Sequence, residues 1–199
     1  MRYRYSDGRF NQYLDPNENE DRLSRESGLR TDWRITPKLK SQSEVRYKKL
    51  LRDSKASPLR NRDITGYYYN QNFSYRPISA WEIGLESEYG NESNKALNYP
   101  IDLWFEAVKG RIDYALPGKG RASAEYQFQK VNPTSNPLGL VVPYEMGRGK
   151  KEGNSHTWEL RVEYTVAKNI LFTFYYNGRN EPNFENVIHS GQAEIRAYF

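Results

Sequence analysis

The fold predicted by this sequence is all-β: an up-and-down antiparallel barrel of about ten strands. Three observations carry that expectation. Apolar and charged residues alternate with a period of two over long stretches, as in strands with one greasy and one polar face. The connections between those stretches fall into two lengths that take turns along the chain. Seventeen Tyr, eight Phe and four Trp among 199 residues suit strands better than helices.

The elements follow in chain order. "RYRYSDGRFNQYL" opens the series, and "LRTDWRI" sets Leu29, Trp33 and Ile35 opposite Arg30, Asp32 and Arg34. Segment 39–51 carries Glu44 and Arg46 on one side and Ser41, Ser43 and Lys49 on the other, and 62–75 adds Gln71 to that second side. "WEIGLESEYG" puts Trp81, Ile83, Leu85 and Tyr89 against Glu82, Glu86 and Glu88. "IDLWFEAVKGRIDYAL", with Arg111 and Asp113, switches its apolar phase near Ala107–Val108, where a β-bulge is the expected remedy. "RASAEYQFQ" sets Ala122, Ala124, Tyr126 and Phe128 opposite Arg121, Glu125 and Gln127. "WELRVEYTV" opposes Trp158, Leu160, Val162, Tyr164 and Val166 to Glu159, Arg161 and Glu163. "NILFTFYY" gathers Ile170, Phe172, Phe174 and Tyr176 on one side. "GQAEIRAYF" alternates Ala193, Ile195, Ala197 and Phe199 with Glu194 and Arg196.

Tight connections are expected near Pro37, Pro77, Gly118 and Lys168, and long ones over 14–26, 53–61, 90–99, 131–154 and 179–185. Nothing in a Greek-key sandwich demands that alternation. A barrel inserted through a bilayer from one side does, with short turns at the entry end and long loops at the far end. The mean hydropathy of −0.96 excludes transmembrane helices, but a membrane strand is half polar by construction. Slipping the 158–166 strand by one residue would turn Glu159, Arg161 and Glu163 to lipid, so its register is strongly set.

The terminal strand, with Phe199 last and apolar residues back through Ala197, Ile195 and Ala193, resembles that of the bacterial outer-membrane β-barrels. The resemblance implies residence in the bacterial outer membrane, with the lipid bilayer and lipopolysaccharide as surroundings. It also implies that Ala193, Ile195, Ala197 and Phe199 form the signal read by the barrel assembly machinery. Tyr198, out of phase, and the two small alanines depart from the pattern. Segment 143–199 resembles the C-terminal end of larger outer-membrane proteins. With no apolar leader following Arg2 and Arg4, the chain is expected to be one domain over 1–199 or the C-terminal segment of a larger barrel.

The charged face is then the expected lumen, lined by Arg30, Asp32, Arg34, Glu44, Arg46, Glu82, Glu86, Glu88, Arg111, Asp113, Arg121, Glu125, Arg161, Glu163, Glu194 and Arg196. In a closed ten-strand ring these would fill the interior; in a wider one they would line an aqueous channel. Trp33 and Trp81 near short turns, and Trp158 and Tyr176 near long loops, are the expected interfacial aromatics. The reading is therefore a non-enzymatic, porin-like channel or structural surface protein, needing no cofactor and no metal.

Other chemistry finds less in the residues. His156 and His189 fall near the long-loop end, the place for an outer-membrane hydrolase to keep a catalytic histidine, but "SHTW" and "IHSG" offer no Asp–His dipeptide. "GRGKK" (147–151) reads as a solvated tip, and "DPNENED" (15–21) lacks calcium-loop spacing. Thirty basic against 25 acidic side chains, without a basic helix or RNA-binding motif, give no nucleic-acid surface. With no cysteine, there is no thiolate metal site. A soluble ten-stranded barrel holding an apolar ligand would show the same alternation with its faces reversed.

Overall fold

The computed structural model describes residues 2–11, 20–54, 61–96, 100–136, 139–182 and 184–198. These form ten strands: β1 (Arg2–Asn11), β2 (Glu20–Arg34), β3 (Leu39–Ser54), β4 (Arg62–Tyr75), β5 (Trp81–Asn94), β6 (Ile101–Leu116), β7 (Gly120–Ser135), β8 (Gly153–Ala167), β9 (Ile170–Asn180) and β10 (Ile188–Ala197). Each pairs antiparallel with its neighbours in sequence, giving one sheet in the order β1 to β10. Among the described residues no pairing joins β1 to β10.

The short connections lie at one end of the sheet. In the first, the Thr36 hydroxyl accepts hydrogen bonds from the backbone N–H groups of Lys38 (3.2 Å) and Leu39 (3.0 Å), closing the turn around Pro37. Lys168 and Asn169 alone join β8 to β9. At the other end the strands run farther than side-chain alternation indicates. β2 begins at Glu20, β5 continues to Asn94 and β7 to Ser135, inside stretches expected to be loops. Backbone pairing carries on past the apolar band into polar sequence, where periodicity of side chains no longer reports it.

The two faces differ as the alternation requires. Along β5, Trp81, Ile83, Leu85 and Tyr89 are exposed while Glu82, Glu86 and Glu88 are half-buried. The sheet thus curls with its charged side inward and its apolar side outward. Trp33, 62% exposed, stands against Glu88, whose side chain is 12% exposed. A soluble barrel with its aromatics gathered inside has the opposite arrangement, so that reading does not hold.

The phase switch in β6 has a different cause from the expected bulge. β6 keeps register with β5 from Ile101↔Asn94 to Tyr114↔Trp81, and its one irregularity against β7 falls at Asp102–Leu103. Ile101, Leu103 and Phe105 point to the charged, inner side because something apolar meets them there. With Ile64, Val131 and Met146 they form the buried cluster of the described residues. Gly90, paired with Phe105, makes room: a Cβ on it would lie 2.3 Å from the Phe105 ring. Burying each such side chain stabilises by roughly 1.5–3 kcal/mol. This small core sits under the β7–β8 connection, whose residues 142–149 turn back over the inner face.

Candidate functional site

By pairing register, all sixteen charged residues named from the sequence lie on the inner face. Two strands are biased in charge. β3 turns Lys40, Arg46, Lys48 and Arg52 inward with Glu44 among them; β5 carries an acidic column, Glu82, Glu86, Glu88 and Glu92. Between them β4 offers Asn70, Asn72 and Ser74. The Ser74 hydroxyl donates to Glu82 at 2.9 Å and the Asn70 amide to Glu86 at 2.8 Å. Lys109 of β6 reaches Glu86 and Glu125, each at 3.7 Å. Farther round, Arg121 and Arg161 share Glu163 at 2.8 and 2.5 Å, and Arg196 meets Glu194 at 2.7 Å. These exposed pairs contribute little to stability. Their consequence is a wetted, fixed pattern of charge, and a groove of about 380 Å³ runs beside it, lined by Asn72, Ser74, Glu82, Glu86, Lys109 and Arg111.

At the loop end the inner face narrows. Met146 is fully buried in the apolar cluster and anchors the returning segment. Next to it Gly147, Arg148 and Gly149 all take positive φ, Arg148 at 59°. A non-glycine residue in that region is uncommon and carries some strain. The turn aims two groups inward: the Gly147 N–H donates to Glu92 at 2.7 Å, and the Arg148 guanidinium pairs with Glu88. The Gln129 amide donates to the Gly147 carbonyl at 3.1 Å. Glu145 bridges Arg52 and Arg62, each at 3.5 Å. Tyr68 stands at the centre, its hydroxyl donating to Glu92 at 2.7 Å and its ring lying 5.8 Å from the Arg46 guanidinium and 6.0 Å from that of Arg148. A half-open cavity of about 90 Å³ lies here, lined by Glu26, Arg46, Lys48, Tyr68, Glu92, Glu145 and Arg148. Glu92 is 2% exposed and lies three residues beyond Tyr89, outside the aromatic rows described next; burial pushes its carboxyl up from the usual carboxylate range.

The outer face carries two aromatic rows. Trp33, Phe73, Tyr75, Trp81 and Tyr114 lie toward the short turns; Tyr47, Tyr67, Tyr89, Trp104, Tyr126, Trp158 and Tyr176 lie toward the long loops. Trp81 and Tyr114 are 4.6 Å apart, and Tyr47 and Tyr67 5.2 Å. From Trp81 to Tyr89 the strand advances about 26 Å, close to what a tilted strand uses to cross hydrocarbon. Ala193, Ile195 and Ala197 face the same way on β10, while Phe199 lies outside the described residues. Between the rows Ser41, Ser43 and Gln71 satisfy one another, while Lys49 meets Asp63 at 3.7 Å. Gln71 donates to the Ser41 hydroxyl at 2.8 Å and accepts from Ser43 at 2.5 Å and Tyr69 at 2.9 Å. His156 and His189 also face outward, each bonded to a tyrosine rather than to a carboxylate or serine. The arrangement a rim hydrolase would need, with a histidine turned to the charged face, is not what either of them adopts.

Sequence reasoning missed the mouth. Glu145, Met146 and Arg148 escaped because 131–154 reads as a long polar loop and "GRGKK" as its tip, Glu92 because 90–99 reads as another loop, and Tyr68 because its partners lie in both. The available signal was the apolar run Leu140, Val141, Val142 before Met146, unusual for a tip in water, set against Ile101, Leu103 and Phe105 out of phase on β6.

No family model matches the chain, and no curated protein matches it. Solved structures do. The outer-membrane expressed OmpT of Vibrio cholerae is similar with a TM-score of 0.55 at 13% identity, over 95% of this chain and 59% of that one. The CymD monoaromatic hydrocarbon channel gives a TM-score of 0.49 at 10% identity, over 100% of this chain and 71% of that one. This chain therefore spans about three-fifths of the length of OmpT. The fold is that of the outer-membrane β-barrels.

Proposed function

We propose that this chain forms the wall of a water-filled, non-enzymatic channel in the bacterial outer membrane, narrowed at its loop end by residues 142–149. The observation that carries the reading is the sorting of faces: exposed aromatics and aliphatics outside, sixteen charges inside. A bilayer admits strands only where every backbone group is paired, so the two unpaired edges need partners. Those are each other or, more simply given that Arg121 and Arg196 stay largely exposed on the inner face, the remaining strands of a larger barrel. The lumen charges set the ion preference. Ala193, Ile195, Ala197 and Phe199 serve the barrel assembly machinery, and lipopolysaccharide surrounds the loop end.

The test is reconstitution into a planar bilayer after detergent extraction. Stepwise ohmic conductance with heat-modifiable migration on a gel is the expected result. A chain that remains in the aqueous phase without detergent, or that inserts and conducts nothing, overturns the reading.

A further inference from the structure

The two histidines stand outside the channel reading and form a constellation of their own. His156 of β8 and His189 of β10 face outward in the row of aromatics nearest the long loops. The Tyr126 hydroxyl lies 2.7 Å from Nδ1 of His156, and the Tyr176 hydroxyl 2.8 Å from Nδ1 of His189. Trp158 lies between them. It is two residues from His156 on the same face, about 7 Å along the strand, and its ring is 5.8 Å from that of His189. Tyr176 stacks on His189 at 16°. The indole lies flat over Gly178, where a Cβ would approach it to 2.3 Å, so no side chain separates Trp158 from its neighbours. Two imidazoles on separate hairpins are thus oriented by the same device on either side of one tryptophan.

That device fixes what the rings present. A phenol hydroxyl is a good donor to imidazole nitrogen; accepting it at Nδ1 leaves the ring proton on Nε2, and a protonated ring also carries hydrogen there. With the phenols as donors, both histidines carry their ring proton on Nε2, at the depth of an interfacial aromatic belt. Lys130, one pairing row farther out with Glu106 opposite it, holds its ammonium 5.4 Å from the Trp104 ring on the same face. Aromatic platforms with N–H donors suit an anionic group attached to an apolar body.

We propose that His156 and His189, oriented by Tyr126 and Tyr176 on either side of Trp158, each bind a phosphate of the lipid headgroups in the surrounding leaflet. The proposal rests on the reading of the chain as a membrane barrel. The acyl chains would lie along the outward apolar side chains Leu160, Val162 and Phe174 below the site.

The test uses the full chain in alkyl maltoside micelles, which contain no phosphate, doped with lipid A or with dephosphorylated lipid A. Wild type should show a thermal transition raised by lipid A well above the dephosphorylated lipid, and broadening of the lipid ³¹P resonance. His156→Gln with His189→Gln should weaken lipid A binding about tenfold or more and abolish the difference between the two lipids. Tyr126→Phe with Tyr176→Phe, which keeps the rings and frees the imidazoles, should fall between. If the glutamine variant does not fold, the ³¹P comparison of wild type with the phenylalanine variant decides. Equal response of wild type to both lipids, or an unchanged response of the glutamine variant, overturns the site. A chain that shows no heat-modifiable migration in plain micelles fails the membrane reading instead, which keeps the two failures apart.

Discussion

The backbone N–H of Gly147 donates to the Glu92 carboxylate at 2.7 Å, joining residues 55 positions apart across the inner face. Tyr68 donates to the same carboxylate, so one buried acid holds the returning segment to the wall formed by β4 and β5. Substitution to alanine leaves a buried N–H and a hydroxyl without an acceptor, a cost of about 1–3 kcal/mol to the docked segment. Glu92→Ala should expose residues 139–150 to limited proteolysis and raise single-channel conductance; Glu92→Gln, which keeps a carbonyl acceptor, should do less.

The same acid gives the mouth a pH dependence with a definite sign. Burial raises its pKa above the ordinary 4.5, so the folded protein takes up a proton there more readily than the unfolded chain. The contribution of Glu92 to stability is then greatest below the ordinary value and is lost as pH rises through the raised one. Proteolysis of 139–150 measured from mildly acid to neutral pH should accelerate with pH in wild type and become flat in Glu92→Gln.

Phe105 and Gly90 form a matched pair in the small inner core. Phe105→Ala should destabilise by about 3–5 kcal/mol, and Gly90→Val should drive the ring off its seat with a similar consequence. Loss of heat-modifiable migration at lower temperature is the measurement, and it should not change if the substitution is moved to exposed Tyr67.

The Gln71 cluster tests what polar groups do on an otherwise greasy surface. Gln71→Leu should lose about 0.6–2 kcal/mol by stranding Ser41 and Ser43. Adding Ser41→Ala and Ser43→Ala should restore most of it, because removing all partners leaves nothing unsatisfied. Urea titration of the folded barrel in micelles reads the non-additivity.

The acidic column should weigh on ion preference. Glu82→Gln with Glu86→Gln leaves Lys109 and Arg111 less compensated around the groove. Reversal potentials in a salt gradient should shift toward anions.

Much of the architecture was legible because each strand obeys period two where it crosses the apolar band. Trp33 against Arg34, or Leu160 against Arg161, fixes a face without any knowledge of the neighbour. What escaped detection depends on contacts distant in sequence. Glu92 falls within 90–99, which reads as a long loop, and only the continued pairing of β5 and the returning Gly147 make it a buried acceptor. The β6 phase switch was visible, but a bulge was the local explanation; the actual partner, Met146, lies some forty residues later. The histidines were noticed for their chemistry, yet which face they occupy follows from register rather than from residue type.

Strands that pair only with sequence neighbours can close like a row of successive teeth, each added hairpin needing no distant segment. The clasp made by residues 145–148 on Arg52, Arg62, Glu88 and Glu92 interrupts that simplicity. It ties β3 through β7 into one cooperative block and leaves β8, β9 and β10 outside it. Under mechanical load from the C-terminal side, those three strands should peel away first and the clasped block should yield later, in a separate step at higher force.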